Sequence, residues 1–236
     1  MKTIILFFAG LLISFSTVAQ DKFFVHTATA ATISADASFI DHPDLNGNPG
    51  AQIVVTHNWN PSGATGVYND NNTGVFYSAS ESKWGVYNES GGAMVENSSY
   101  NVYIGDGSDV FLHIADAGAV GSLASYSVLD HPSLNNNPNA VITLTTYYNP
   151  NGLRNDETYA LWYDTSAQRW NIFTESLNDI TLDTAFFVGI EGGVTATTIH
   201  TATAGNISGN YTVITHPLLD GDPDAVFTFT HNWGSS

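Results

Sequence analysis

The sequence predicts an all-β protein made of tandem small antiparallel β-sandwich or barrel repeats of about 87 residues each. Short runs rich in Val, Ile, Thr and aromatic residues alternate with clusters of Gly, Pro and Asn, a pattern typical of strands and turns. No amphipathic helical period follows the first twenty residues. Three segments also resemble one another, and His26, His113 and His200 stand 87 residues apart within them.

The repeat divides the chain into four parts. We predict a signal peptide at 1–19, one β-repeat at 20–109, a second at 110–196 and a partial third at 197–236. Each copy carries a His-Pro pair, at His42, His131 and His216, and a second proline in the loop that follows. The third copy lacks the second half of the pattern in this sequence, which favours a fragment of a longer array. Self-association through the partial third repeat and capping by the preceding repeat are the alternatives.

Six strands are expected in each copy. In the first copy they lie near 23–29, 37–41, 51–59, 74–78, 83–88 and 99–104. Loops such as NGNPG separate them, because Pro cannot donate to a ladder and Asn, Asp and Gly suit turns. The third run alternates, with Ile53, Val55, His57 and Trp59 on one face. Successive side chains point to opposite faces, so we expect a half-buried strand with a polar outer face.

The first residues carry the features of an export signal. Lys2 provides a positive start, an apolar run extends from Ile4 to Ile13, and Thr17-Val18-Ala19 gives the small residues needed for cleavage after Ala19. The run is shorter than the ~20 residues that span a bilayer. The chain contains no cysteine, which excludes disulfides and thiolate metal sites. We therefore expect a secreted protein or one on the outer cell surface.

Charge narrows the choice of partners. Five Lys and Arg stand against 22 Asp and Glu, which gives a net charge of −17. A polyanion needs clustered cations, so nucleic-acid binding and attachment to an anionic membrane are disfavoured, and we expect no membrane insertion. The acidity favours solubility first and an affinity for divalent cations second.

Two groups of residues suggest metal sites. His26, His42 and His57 could form a tri-histidine site, but position 57 is Thr146 in the second copy, which favours structural histidines. Asp220, Asp222 and Asp224 alternate as oxygen ligands do in calcium loops. The matching positions in the other copies are Asn or Gly, which favours a turn, and calcium at the third copy is the one cofactor left open.

Aromatic residues are the candidate ligand contacts. Trp59, Trp84, Trp170 and Trp233 are suited to stack on sugars or to anchor a protein partner. Core packing is the favoured alternative, because large aromatic rings dominate small β cores. Lys83 and Arg169 each precede a tryptophan, and we expect their stems to pack over the indole.

No residues form a recognisable catalytic motif. No Ser or Cys lies in a nucleophile motif and no pair of carboxylates stands out, so we expect a protein that is not an enzyme. The first hypothesis is an extracellular or cell-surface repeat protein with a structural or adhesive role, whose partner is a glycan or a surface protein. The alternative is an array of carbohydrate-binding modules that uses exposed aromatic residues.

The pattern HTATA, then DHPxLNGNPxA, then THNWNPSG resembles a tandem repeat of exported Gram-negative bacterial proteins, especially those of the Bacteroidota. The resemblance covers nearly all of the chain after the signal. That family is of unknown function, so the resemblance implies an exported β-repeat and assigns no catalytic or binding residue.

Overall fold

The computed structural model describes residues 22–190 and 196–235, and the predicted signal peptide lies outside them. The predicted all-β class is confirmed, since the described elements are sixteen strands and one short 3-10 turn at Pro61–Gly63. Within these residues no helix is long and apolar enough to cross a membrane.

The strands of the first repeat follow the predicted order. They are β1 (Phe23–Thr27), β2 (Ile33–Ser34), β3 (Ala37–Phe39), β4 (Ile53–Asn58), β5 (Thr73–Ser78), β6 (Lys83–Asn88) and β7 (Ser99–Ile104). Six of them match the six predicted runs, and the two-residue β2 was not predicted. Strands β1, β7 and β4 form one antiparallel sheet, and β2, β3, β6 and β5 form part of a second.

The second repeat copies this plan, and the third copies part of it. The second contains β8 (Val110–Ile114), β9 (Tyr126–Val128), β10 (Ile142–Tyr147), β11 (Tyr159–Asp164), β12 (Arg169–Thr174) and β13 (Ala185–Ile190). The third contains β14 (Ile207–Ser208), β15 (Tyr211–Thr212) and β16 (Asn232–Ser235). Strands β8, β13 and β10 continue the second sheet of the first repeat to make seven strands, while β16, β11, β12 and β9 form a separate sheet.

Each of the first two repeats has its own hydrophobic core. Trp84 is the largest buried residue of the first core and Trp170 of the second, and neither is more than 2% exposed. Each indole Nε1 donates to a loop carbonyl, that of Trp84 to Asn48 O at 2.8 Å and that of Trp170 to Asn137 O at 2.8 Å. The tryptophan therefore fixes the Asn-rich loop against the sandwich in both copies.

The outer face of β4, the third predicted strand, is more buried than we predicted. Val54 and Thr56, predicted to face solvent, are as buried as Ile53 and Val55. The cause is the other two repeats, since Val54 packs beside Gly189 on β13 and Thr56 Oγ1 accepts a hydrogen bond from the backbone N of Phe229 in the third repeat. Alternation alone cannot show that a second sheet covers the polar face of a strand.

The basic residues of the described chain all pair with aspartates. Lys22 pairs with Asp106 at 2.9 Å and Arg154 with Asp36 at 2.5 Å. Lys83 and Arg169 lie 3.6 Å and 3.9 Å from Asp41 and Asp130 respectively, the residues that precede the His-Pro pairs. The same exposed ion pair therefore recurs in both copies.

Candidate functional site: the joints between repeats

Adjacent repeats are joined by short parallel strand pairs. At the first joint β10 pairs with β5, with Tyr147 opposite Val75. At the second joint β16 pairs with β11, with Asn232 opposite Leu161. Because Val75 corresponds to Leu161 and Tyr147 corresponds to Asn232 in the repeat, the two joints share one register. The predicted antiparallel pairing therefore holds within repeats, while the contacts between repeats are parallel.

A buried glutamate lies at the first joint. Glu89 accepts hydrogen bonds from Tyr87 Oη at 2.7 Å and from the backbone N of Asn155 at 2.9 Å. Burial raises the pKa of Glu89, and a hydrogen bond from Thr146 of the second repeat opposes that rise. A Cβ on Gly74 would lie 2.6 Å from Thr146 Oγ1 and 2.7 Å from Glu89 Oε1, so this close approach requires glycine.

An arginine closes the same joint. Arg154 donates to the Asn88 carbonyl at 2.7 Å and pairs with Asp36, so one side chain of the second repeat contacts two segments of the first. Its guanidinium also lies 5.0 Å from the ring centroid of Tyr87, a distance that suits a cation–π contact. Sequence analysis missed this residue, although Arg154 is one of only five basic residues in the chain.

The second joint repeats these roles with different residues. Glu175, which corresponds to Glu89, accepts a hydrogen bond at 2.5 Å from Nδ1 of His231, which corresponds to Thr146. At the position of Tyr148, Trp233 lies edge-on to Phe173 with the ring centroids 6.0 Å apart. Tyr148 itself lies edge-on to Tyr87 at 5.8 Å. Each hairpin therefore offers an aromatic ring and a glutamate to the repeat that follows.

Three equivalent threonines connect the repeats in a closed cycle. Each Oγ1 accepts a hydrogen bond from a backbone N–H of another repeat. The donor is always the residue just before the equivalent threonine of that other repeat. The pairs are Thr145 with Val55 at 2.8 Å, Thr230 with Leu144 at 2.8 Å, and Thr56 with Phe229 at 3.2 Å. The second repeat thus contacts the first, the third contacts the second, and the first contacts the third. This cycle is a pseudo-threefold arrangement.

A crevice separates the first repeat from the third. It has a volume of about 300 Å³, and its walls include His57 and Trp59 on one side and Leu219, Asp222 and Phe227 on the other. One face of the Trp59 indole lies against Gly66, where a Cβ would approach Cε2 to 1.9 Å. A larger cleft of about 440 Å³ near Lys22 and Asp106 contains no aromatic ring in its wall.

The four tryptophans predicted as ligand contacts divide into two pairs. Trp84 and Trp170 are buried, so they cannot stack on a sugar, and their assignment as ligand contacts was wrong. Trp59 is 45% exposed and Trp233 is 70% exposed, against the expectation of core packing for Trp59. The difference follows from position, since the buried pair lies inside a sandwich. Trp233 lies on the strand that meets the preceding repeat, and Trp59 follows the equivalent strand of the first repeat.

His26, His42 and His113 have structural partners. Nε2 of His26 lies 2.8 Å from Ser38 Oγ, and the same contact recurs for His113 with Ser127. His42 stacks on Phe24 with ring centroids 4.4 Å apart. Among the described residues no group of three or more His, Cys, Asp or Glu is arranged to hold a metal ion, so the tri-histidine site does not form.

The predicted calcium residues form a turn. Asp220 Oδ1 accepts a hydrogen bond from the backbone N of His216 at 3.2 Å, and Asp222 Oδ1 accepts one from Asp224 N at 3.0 Å. The corresponding Asn135 Oδ1 accepts from His131 N at 3.3 Å. Within the described ranges Asp220, Asp222 and Asp224 belong to no cluster that could hold a metal ion, and the turn explains why Asn replaces Asp in other copies.

Comparison with known proteins identifies the repeat. A family model described as a domain of unknown function (DUF7452) matches residues 13–104, 74–160 and 160–236. No curated protein matches the chain, and no solved structure matches it. The three matches overlap and support a tandem repeat, and the match at 74–160 runs from the second half of the first predicted copy into the first half of the second.

Proposed function

The chain belongs to the family described as a domain of unknown function (DUF7452), and we propose that it is a non-enzymatic extracellular repeat protein with a structural or adhesive role. The observation that carries the proposal is the joint, in which the repeats share sheets and a closed cycle of hydrogen bonds. Such joints make a rigid unit out of small sandwiches. Independent modules on flexible linkers would show no shared sheet.

The start of the sequence supports an external location, which is part of the proposal. The segment with Lys2, the apolar run and Ala19 has the pattern of a cleaved export signal. A chain without cysteine must keep its fold outside the cell through packing alone, and two tryptophan-centred cores provide that packing. The net negative charge keeps copies apart in solution.

Export of the full chain in a Gram-negative host tests this proposal. We expect the protein outside the cytoplasm, with Gln20 as its first residue by N-terminal sequencing. As a matched control, Ala19→Arg removes the small residue at the cleavage site and should leave the leader attached. A wild-type chain that stays in the cytoplasm and keeps Met1 would contradict the proposal.

Carbohydrate binding is the second candidate, and the exposure of Trp59 and Trp233 is the observation that favours it. Trp59 lies beside Tyr68, itself 68% exposed, with ring centroids 5.6 Å apart. A glycan array would then retain the wild-type chain, and the retained amount would fall for the variants Trp59→Ala and Trp233→Ala. Retention that these variants leave unchanged would remove the candidate.

A further inference from the structure

The two joints share a receiving face. At the first joint the second repeat offers Thr146 and Tyr148 to the β5–β6 hairpin, and at the second joint the third repeat offers His231 and Trp233 to the β11–β12 hairpin. The first repeat has the corresponding face, with His57 and Trp59 at the equivalent positions of the same strand.

The order of the repeats around the threonine cycle shows which repeat would lie against this face of the first repeat. Thr145 of the second repeat bonds the first repeat, and Thr56 of the first bonds Phe229 of the third in the same way. The first repeat therefore follows the third as the second follows the first. A hairpin on the face of the first repeat would come from a repeat in the third position.

The face of the first repeat lacks the contacts found at the other two. Among the described residues the buried Nε2 of His57 has no hydrogen-bond partner, although the ring contacts the backbone of Val67, whereas Nδ1 of His231 binds Glu175. Trp59 makes its ring contact with Tyr68 of its own repeat, at 5.6 Å, instead of with the ring of a hairpin. The crevice of about 300 Å³ lies beside these two side chains.

We propose that the face formed by His57, Asn58 and Trp59 is a third joint, which binds a β-hairpin of the same repeat kind that ends in a glutamate. The glutamate would bind Nε2 of His57, in the role that Glu175 has towards Nδ1 of His231. The aromatic residue two positions before it would pack against Trp59, as Phe173 packs against Trp233. The first strand of the hairpin would pair in parallel with the strand that contains Asn58, in the register of the other two joints.

The backbone donor that completes the carboxylate site is also present. At the first joint the backbone N of Asn155 donates to Glu89 Oε2 at 2.9 Å. Asn69 occupies the position of Asn155 in the first repeat, so its N–H is the expected second donor. Five residues separate Gly63 from Asn69, whereas two separate Gly152 from Asn155, and this longer segment carries the Tyr68 ring that covers Trp59.

The amides of the crevice favour a hairpin over a sugar. Asn58 Nδ2 donates to Asn101 Oδ1 at 2.8 Å, and Asn101 Nδ2 donates to the Phe227 carbonyl at 2.7 Å. These groups are already paired with each other and with the third repeat. A sugar depends on side-chain amides for its hydroxyls, whereas a strand is recognised mainly through the main chain.

A labelled peptide of residues 157–176 provides the probe, because it contains the β11–β12 hairpin with Phe173 and Glu175. Fluorescence anisotropy with the full chain should show saturable binding. We expect His57→Leu to weaken it at least tenfold and Trp59→Ala to do the same. His57→Thr copies Thr146 and should keep binding within threefold of wild type, and Trp233→Ala is the matched exposed-tryptophan control that should leave it unchanged.

A tethered hairpin covers the case in which the free peptide does not fold. A second copy of residues 157–176, attached after Ser236 by a flexible linker, raises the effective concentration to the millimolar range. Hydrogen exchange at His57, Asn58 and Trp59 should slow at least tenfold, and Glu175→Gln in the added copy should reverse most of this. Unchanged exchange in the tethered chain would overturn the proposal. Glycan retention that depends on Trp59, without hairpin binding, would also overturn it.

Discussion

Trp84→Ala is expected to lower the free energy of unfolding by about 3–5 kcal/mol, the usual cost of removing a large buried ring. The indole is buried and donates to the Asn48 carbonyl. Its ring also lies 5.5 Å from Tyr147 and 5.9 Å from Phe187, which belong to the second repeat. The cavity would therefore open at the contact between repeats.

Trp59→Ala is the matched control for this measurement. Trp59 is 45% exposed, so its removal should cost about 1 kcal/mol or less. Urea unfolding followed by far-UV circular dichroism measures both variants. Equal losses for the two substitutions would contradict the assignment of Trp84 to the core and of Trp59 to the surface.

Acid should destabilise the protein through the buried His26 and the partly buried His113. Burial lowers the pKa of His26 and of His113 from 6.5 to about 4. The unfolded chain then binds protons more readily than the folded chain between pH 6.5 and 4. Stability is full above pH 6.5 and falls as the pH drops to about 4, by roughly 3 kcal/mol for each histidine at 1.36 kcal/mol per pKa unit.

The variant His26→Gln isolates this effect. Gln keeps a polar group near Ser38 and does not titrate, so the loss of stability between pH 6.5 and 4 should be smaller by up to about 3 kcal/mol than in wild type. His42→Gln is the control, since its ring stacks on Phe24 and has a different hydrogen-bond partner. Identical pH profiles for wild type and His26→Gln would contradict the account.

The internal repeat made most of the fold predictable. Hydrophobic alternation and turn residues located six strands of the first copy, because these signals act over a few neighbouring residues. The prediction for the outer face of β4 failed where repeats meet. Val54 and Thr56 were expected to face solvent, and only contacts with the other two repeats explain their burial. Contacts of this kind depend on how whole sandwiches pack, which no local pattern records.

The joints were harder to predict than the sandwiches. Glu89 and Glu175 occupy one position of the repeat, but their partners differ, with Thr146 at one joint and His231 at the other. Comparison of the copies argued against a metal site at His57, because Thr146 occupies the equivalent position of the second copy. The same comparison could have located the joint. Thr146 and His231 each directly follow a threonine whose Oγ1 bonds another repeat.

The central claim is that the repeats form one structural unit through their joints, and native-state hydrogen exchange of Glu89→Ala tests it most directly. The substitution leaves Asn155 N and Tyr87 Oη without their acceptor, which should cost about 2–3 kcal/mol. Glu175→Ala removes an exposed pair and should cost no more than about 1 kcal/mol.

The amides of Val86 on β6 and Val188 on β13 report on the first and second repeats, and both are buried. We predict that Glu89→Ala lowers their protection by the same amount, because the seven-stranded sheet that crosses the joint opens as one unit. Loss of protection at Val86 with no change at Val188 would show that the repeats unfold independently and would contradict the account.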